Sequence, residues 1–212
     1  MKRWIVALLC LLLLCPCALA ENAPLALNWE ETEPLLEQRA WKGEFVRLEE
    51  YGIQLWVPEG YEAVMEEKAD LLDTLPEGMD DEAVDMMGKL LDLYSEAANV
   101  SKITAFRRQD ESTTGLLTVR LVGPGIPADT VPQGATAITV NGMQAALWKQ
   151  QVANFMALVD KSQPASDFYM FGFVYTGEEQ GVMLDMTYFE PEENEELSQL
   201  FIGILSSLQP LE

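Results

Sequence analysis

The spacing of apolar positions changes period once along this chain, and the change divides it. From Asn28 the spacing is helical: Asn28 or Thr32 can cap, Pro34 suits a first turn, and Leu35, Leu36, Arg39 and Ala40 follow before a stop at Gly43. Two short strands are predicted next, about 44–48 and 53–57, the second alternating Ile53, Leu55 and Val57 with Gln54 and Trp56. After Pro58, Glu59 and Gly60, the residues Tyr61, Val64, Met65, Lys68, Leu71 and Leu72 return to helical spacing. Asp80, Asp81 and Glu82 then open a further helix, with Val84, Met87, Leu91 and Tyr94 as its apolar stripe to about Ala97. From Ser101 the period is two. Strands are predicted over about 103–108, 116–122, 136–140, 143–151, 168–176 and 182–189, joined by turns of which Asn141-Gly142 is the sharpest. The run from Phe168 to Tyr175 is apolar on both faces, which places it centrally in a sheet. A closing helix puts Leu197, Leu200, Phe201, Ile204, Leu205 and Leu208 on one face, with Pro191, Glu192, Glu193, Glu195 and Glu196 at its start.

Helices first, then strands joined by short turns, then one more helix, predict an antiparallel sheet. Three or four amphipathic helices must cover it, so the expected fold class is α+β: an antiparallel β-sheet flanked by helices, an α/β/α sandwich. One domain is expected over residues 28–212, preceded by a flexible leader over 21–27.

Several local features together resemble the PsbP-like family. They are the corner Val57-Pro58-Glu59-Gly60-Tyr61, the acidic helices after it, the hairpin Val140-Asn141-Gly142, and the closing Ile204-Leu205-Ser206-Ser207-Leu208. The resemblance covers about residues 43 to 210. It implies the α/β/α sandwich and an exported bacterial protein, and carries over no functional residue.

The N-terminus adds a compartment. Lys2 and Arg3, the apolar run from Trp4 to Leu14 and the small residues Ala18 and Ala20 read as a signal peptide over residues 1–20, cleaved after Ala20. The run is shorter than the roughly 20 residues of a stable membrane span. A lipid anchor at Cys15 or Cys17 is the rival reading, but Leu14 and Pro16 stand where a lipobox wants a small residue. Cleavage leaves 192 residues, with 11 basic against 35 acidic ones, a charge of −24. It removes Cys10, Cys15 and Cys17, and the chain has no histidine. The exported form then has no disulfide, cysteine nucleophile, histidine base or histidine-ligated zinc. Such a charge repels nucleic acid and anionic surfaces, and favours a basic protein or a cell-surface component as partner.

Carboxylates are the abundant reactive groups that remain. A glycosidase needs two of them facing one bond, but most here sit at helix starts or turns. Asp185, between Leu184 and Met186, reads by alternation as a solvent-facing strand position. Asp80-Asp81-Glu82 and Asp110-Glu111-Ser112 lack the spacing of a calcium loop. No Ser-x-x-Lys pair occurs, and Ser101-Lys102 and Lys161-Ser162 are poorly placed for a dyad. Met79, Met86 and Met87 fit helix packing, and Asn99-Val100-Ser101 is a sequon. No metal or cofactor is predicted.

Aromatic residues offer the better ligand-binding candidates. Tyr169, Phe171, Phe173 and Tyr175 share one face of a strand, with Trp148 near them on the hairpin strand. Beneath a helix they are core; partly open, they suit a sugar ring or a peptide. The expected function is an exported, non-enzymatic binding or scaffold module. A carboxylate-dependent glycan hydrolase and a weak divalent-cation binder are the alternatives.

Overall fold

The computed structural model describes residues 24–65, 102–110, 115–153 and 166–211. The signal segment, the predicted helix near 80–97, Met79, Met86, Met87, the sequon, Glu111, Ser112, Ser101, Lys161 and Ser162 lie outside them. The described chain is mostly strand, and this corrects the expected α/β/α sandwich. Its elements are β1 (Leu25–Leu27), α1 (Trp29–Gln38), β2 (Gly43–Leu48), β3 (Ile53–Pro58), β4 (Glu62–Met65), β5 (Lys102–Asp110), β6 (Gly115–Pro127), β7 (Thr136–Val140), β8 (Met143–Ala153), β9 (Ser166–Tyr175), β10 (Gln180–Tyr188), α2 (Glu195–Ser206) and β11 (Gln209–Pro210).

Eight strands form one sheet in the order β1-β7-β8-β9-β10-β6-β5-β4. It is mixed, because β1 runs parallel to β7, with Leu25 opposite Ile138. The leader expected over 21–27 therefore includes a paired strand at Leu25–Leu27. A second, three-stranded sheet has the order β11-β3-β2. Both helices and this small sheet pack on the same face of the large sheet. One core joins Leu36 of α1, Phe201 and Ile204 of α2 and Leu55 of β3 to Val119, Val174 and Leu184 of the large sheet.

The error at Tyr61–Met65 has a local cause. Val64 and Met65 are adjacent apolar residues in a segment too short to fix a period, and backbone pairing decides it: Glu62 to Met65 pair antiparallel with Arg107 to Thr104. The helical spacing from Lys68 to Leu72 lies outside the described residues. β9 is central as its composition predicts, and its Gly172 admits α2 closely. A Cβ there would lie 2.7 Å from the Leu205 side chain.

α1 is shorter than the run to Gly43. It ends at Gln38, and Ala40 turns the chain at φ 58° while Trp41 N–H bonds back to the Leu36 carbonyl. That left-handed position suits glycine, since a Cβ there is strained by roughly 1 kcal/mol. Ala40→Gly is expected to stabilise the fold by roughly 0.5–1 kcal/mol, less than the full strain because glycine also loosens the unfolded chain. Urea unfolding of the variant beside the wild type checks this, and a fall in stability would contradict it.

The turn Asn141-Gly142 closes the β7–β8 hairpin as predicted, with φ of 47° and 81°. Asn141 also ties the layers together. Its Oδ1 accepts from Trp29 N–H at 3.0 Å, and its Nδ2 donates to the Ser206 and Leu208 carbonyls, each at 2.8 Å. Asn141→Gly keeps the backbone conformation and loses all three bonds, an expected loss of about 3 kcal/mol. Asn141→Asp should lose at least as much at pH 7, because it sets a carboxylate against two carbonyls. Thermal melts rank the two variants, and a neutral Asn141→Gly would refute the clamp.

Candidate functional site

Strand alternation puts Asp167, Tyr169, Phe171, Phe173 and Tyr175 of β9 on the face turned away from α2, because Gly172 lies against α2. Register then places their neighbours. Phe171 lies opposite Trp148 on one side and Asp185 on the other, and Asp185 lies opposite Arg120 of β6. In the next row of this face Tyr169 lies between Gln150 and Thr187, and Thr187 opposite Thr118.

An ion pair stands at the centre. Arg120 Nη2 and Nε donate to Asp185 Oδ1 at 2.8 and 3.1 Å, Nε reaches Oδ2 at 3.2 Å, and Nη2 also donates to Thr187 Oγ1 at 3.2 Å. The Thr187 hydroxyl donates in turn to Asp185 Oδ1 at 3.3 Å. Asp185 is only 1% exposed, which corrects its reading as solvent-facing. A strand buried on both faces keeps its alternation, but the polar residue then meets a partner instead of water. Two isolated opposite charges in apolar strands, Arg120 between Val119 and Leu121 and Asp185 between Leu184 and Met186, are the signal that alternation alone misses. Burial and then the positive charge of Arg120 pull the Arg107 guanidinium below its ordinary range.

Beside this pair the aromatic candidates divide. Trp148 and Phe171 stack at 5.0 Å and 11°, and Tyr169 and Phe171 lie nearly parallel at 5.8 Å and 8°. All three are half-buried. Tyr175 meets the edge of Phe173 at 4.8 Å instead, beside a small cluster that includes Val122, Ile126 and Met183. Thus Trp148 and Tyr169 come together through Phe171, whereas Tyr175 belongs to the other end of the strand.

Asp167, unremarked in the sequence, lies at the Tyr169 end of the stripe. Its Oδ2 accepts from the Tyr169 hydroxyl at 3.3 Å, and its Oδ1 has no hydrogen-bond partner. Burial pushes this carboxyl up to about 6 against the small opposing effect of the Tyr169 bond, and burial with the nearby Asp167 charge pushes Tyr169 up to about 12. A raised carboxyl is one half of a glycosidase pair, but the other half is badly placed. Asp185 pairs opposite Phe171, four residues along β9 from Asp167, so the two backbones are about 13 Å apart along the strand. Glycosidase pairs lie about 5 to 10 Å apart. Among the described residues no three Asp, Glu, Cys or His side chains gather as a metal site, and no helix is long and apolar enough to cross a membrane.

Compared with models of known protein families and with curated proteins, the chain matches none.

Two tests follow from the charges. Because the folded carboxyl of Asp167 titrates above its unfolded value, the folded state holds the extra proton, and stability falls as pH rises from about 4 to about 6. Asp167→Asn should abolish that part of the slope and raise stability at pH 7 by about 2 kcal/mol. Parallel urea titrations from pH 4 to 7 measure the difference, and an identical pH slope in the variant would contradict it. Arg120→Ala strands the Asp185 carboxylate in the sheet and should lose about 3 kcal/mol, whereas Arg120→Met with Asp185→Leu recovers most of that loss. Equal stability of the single and double variants would show that the pair does not hold the face together.

Proposed function

We propose that this protein is an exported, non-enzymatic binding module whose ligand packs on the sheet face bearing Trp148, Phe171 and Tyr169. One observation carries the reading: three nearly parallel, half-buried rings lie side by side, next to an ion pair between half-buried Arg120 and buried Asp185 that ties β6 to β10. Large aromatic side chains combine apolar area with few rotors, so they gain contact energy at small entropic loss. The ligand class is a sugar ring or an apolar peptide segment. Export rests on the tripartite N-terminal pattern ending at Ala18 and Ala20. The hydrolase reading finds no support in the spacing of Asp167 and Asp185.

The experiment is co-sedimentation of the mature protein with insoluble cell-wall glycan, alongside a screen of soluble oligosaccharides and apolar peptides. Trp148→Ala should reduce bound protein at least five-fold without altering the circular dichroism spectrum. No binding by the wild type to either ligand class would defeat the proposal, and so would binding that Trp148→Ala leaves intact.

A further inference from the structure

The small sheet ends on one side in β2, and its ladder fixes which groups of that strand face outward. Glu59 N–H donates to the Lys42 carbonyl at 2.7 Å, so the bonded pairs of β2 with β3 fall at Glu44, Val46 and Leu48. The backbone groups of Gly43, Phe45 and Arg47 therefore point away from β3. Their β3 neighbours agree: Pro58 has no N–H, Trp56 N–H donates to Ser207 Oγ, and Gln54 pairs with Gln209 of β11. Among the described residues no strand pairs with the outer edge of β2. At six residues it is also the longest strand that ends a sheet, since β1, β4 and β11 have three, four and two. Sheet edges are ordinarily blunted by shortness, proline, a bulge or charge. β2 has no proline, its register with β3 is unbroken, and its two charged residues, Glu44 and Arg47, are of opposite sign. Phe45 stands 39% exposed on it.

We propose that two copies of this chain join through β2, antiparallel about a twofold axis at Phe45, so that their small sheets become one. Self-complementarity selects this occupant. In that register Phe45 faces Phe45 of the other copy, and Gly43 faces Arg47 on both sides of the axis, each pair exchanging two backbone bonds. Registers centred on Glu44 or Val46 would pair only two of the three outward residues among themselves. The side chains suit the same register. Phe45 already meets the Trp29 ring edge-on at 5.2 Å, and its twin extends that aromatic cluster across the axis. Arg47 lies opposite a glycine, which neither obstructs nor repels it. Charge at the contact is balanced: the exposed ions along this edge are Lys42 and Arg47 against Glu44 and Glu49. The formal charge of −22 on the whole chain is screened over about 8 Å at physiological salt, which leaves the contact to these local ions. The edge belongs to the small sheet and not to the face bearing Trp148, so neither proposal depends on the other.

Sedimentation velocity of the mature protein from about 1 to 200 µM at physiological salt is the test. The wild type should pass from monomer to dimer with no larger species, because a twofold contact closes on itself. Arg47→Pro removes an outward N–H and spares the β2–β3 bonds, so it should weaken the dimer at least ten-fold with an unchanged circular dichroism spectrum. A second measurement decides the question where Arg47→Pro disturbs folding. The chain from Glu21 onward holds no cysteine, so Phe45→Cys introduces a single thiol. Its twin lies directly opposite, at a backbone separation of about 5.5 Å that a disulfide can span. Mild oxidation should give a covalent dimer of Phe45→Cys and little of Glu178→Cys, exposed in the turn between β9 and β10. The proposal is overturned by a wild type that stays monomeric, by growth beyond the dimer, by a dimer that folded Arg47→Pro leaves intact, or by equal cross-linking of the two cysteine variants.

Discussion

The side chain of Asn141 is the constraint on which the layering of this molecule depends. Both helices have termini with backbone groups that no intrahelical bond can satisfy. The N-cap of α1, Asn28, makes no side-chain capping bond, and the first N–H of α1 is met by Asn141 Oδ1 instead. The carbonyl of Ser206, the last residue of α2, and that of Leu208 just beyond it are met by Asn141 Nδ2. Its backbone N–H donates to the Leu27 carbonyl at 2.8 Å, which holds β1 as well. One hairpin residue therefore fixes an edge strand, a helix start and a helix end to the same corner. Asparagine is suited to this by its tolerance of the left-handed region and by an amide that both accepts and donates.

With that corner fixed, the two helices and the small sheet lie on one face of the large sheet. Contacts from the other elements reinforce this. Ser207 Oγ accepts from Trp56 N–H at 2.8 Å, which joins the end of α2 to β3. The Tyr51 hydroxyl lies 3.1 Å from Thr104 Oγ1, which joins the β2–β3 turn to β5. The opposite face is built by another rule. Its centre holds a guanidinium, a carboxylate and hydroxyls, and its flank holds stacked rings. Such a buried pair stabilises little in net terms, because desolvation offsets most of the attraction. Its use is positional: a one-residue slip between β6 and β10 would separate Arg120 from Asp185 and turn the charge of the slipped strand into the apolar core.

Local period made most elements legible. The α1 start, β2, β3, the strands from β5 to β10 and α2 all follow from spacing and turn residues, and the Asn141-Gly142 hairpin from chemistry that only left-handed residues supply. Two things were hidden. Amphipathic helices reveal that they cover a sheet but not which face they cover, so a helix on each side and both on one side read alike. Long-range register was hidden too. Nothing local in Leu116–Val122 or Val182–Phe189 says that Arg120 meets Asp185, 65 positions later. The aromatic stripe on β9 was readable by alternation, but its division into a Trp148–Phe171–Tyr169 group and a Phe173–Tyr175 end needed the register with β8 and β10.

The same register separates structural polarity from polarity available to a ligand. Asp185 has its carboxylate engaged by Arg120 and Thr187, so its charge is committed to the sheet. Asp167 is the exception on this face, with one oxygen unpartnered, yet at 7% exposure it too is withdrawn from the surface. What the described residues of this face present outward is therefore the half-buried rings of Trp148, Phe171 and Tyr169, whose placement follows from the register of β8, β9 and β10.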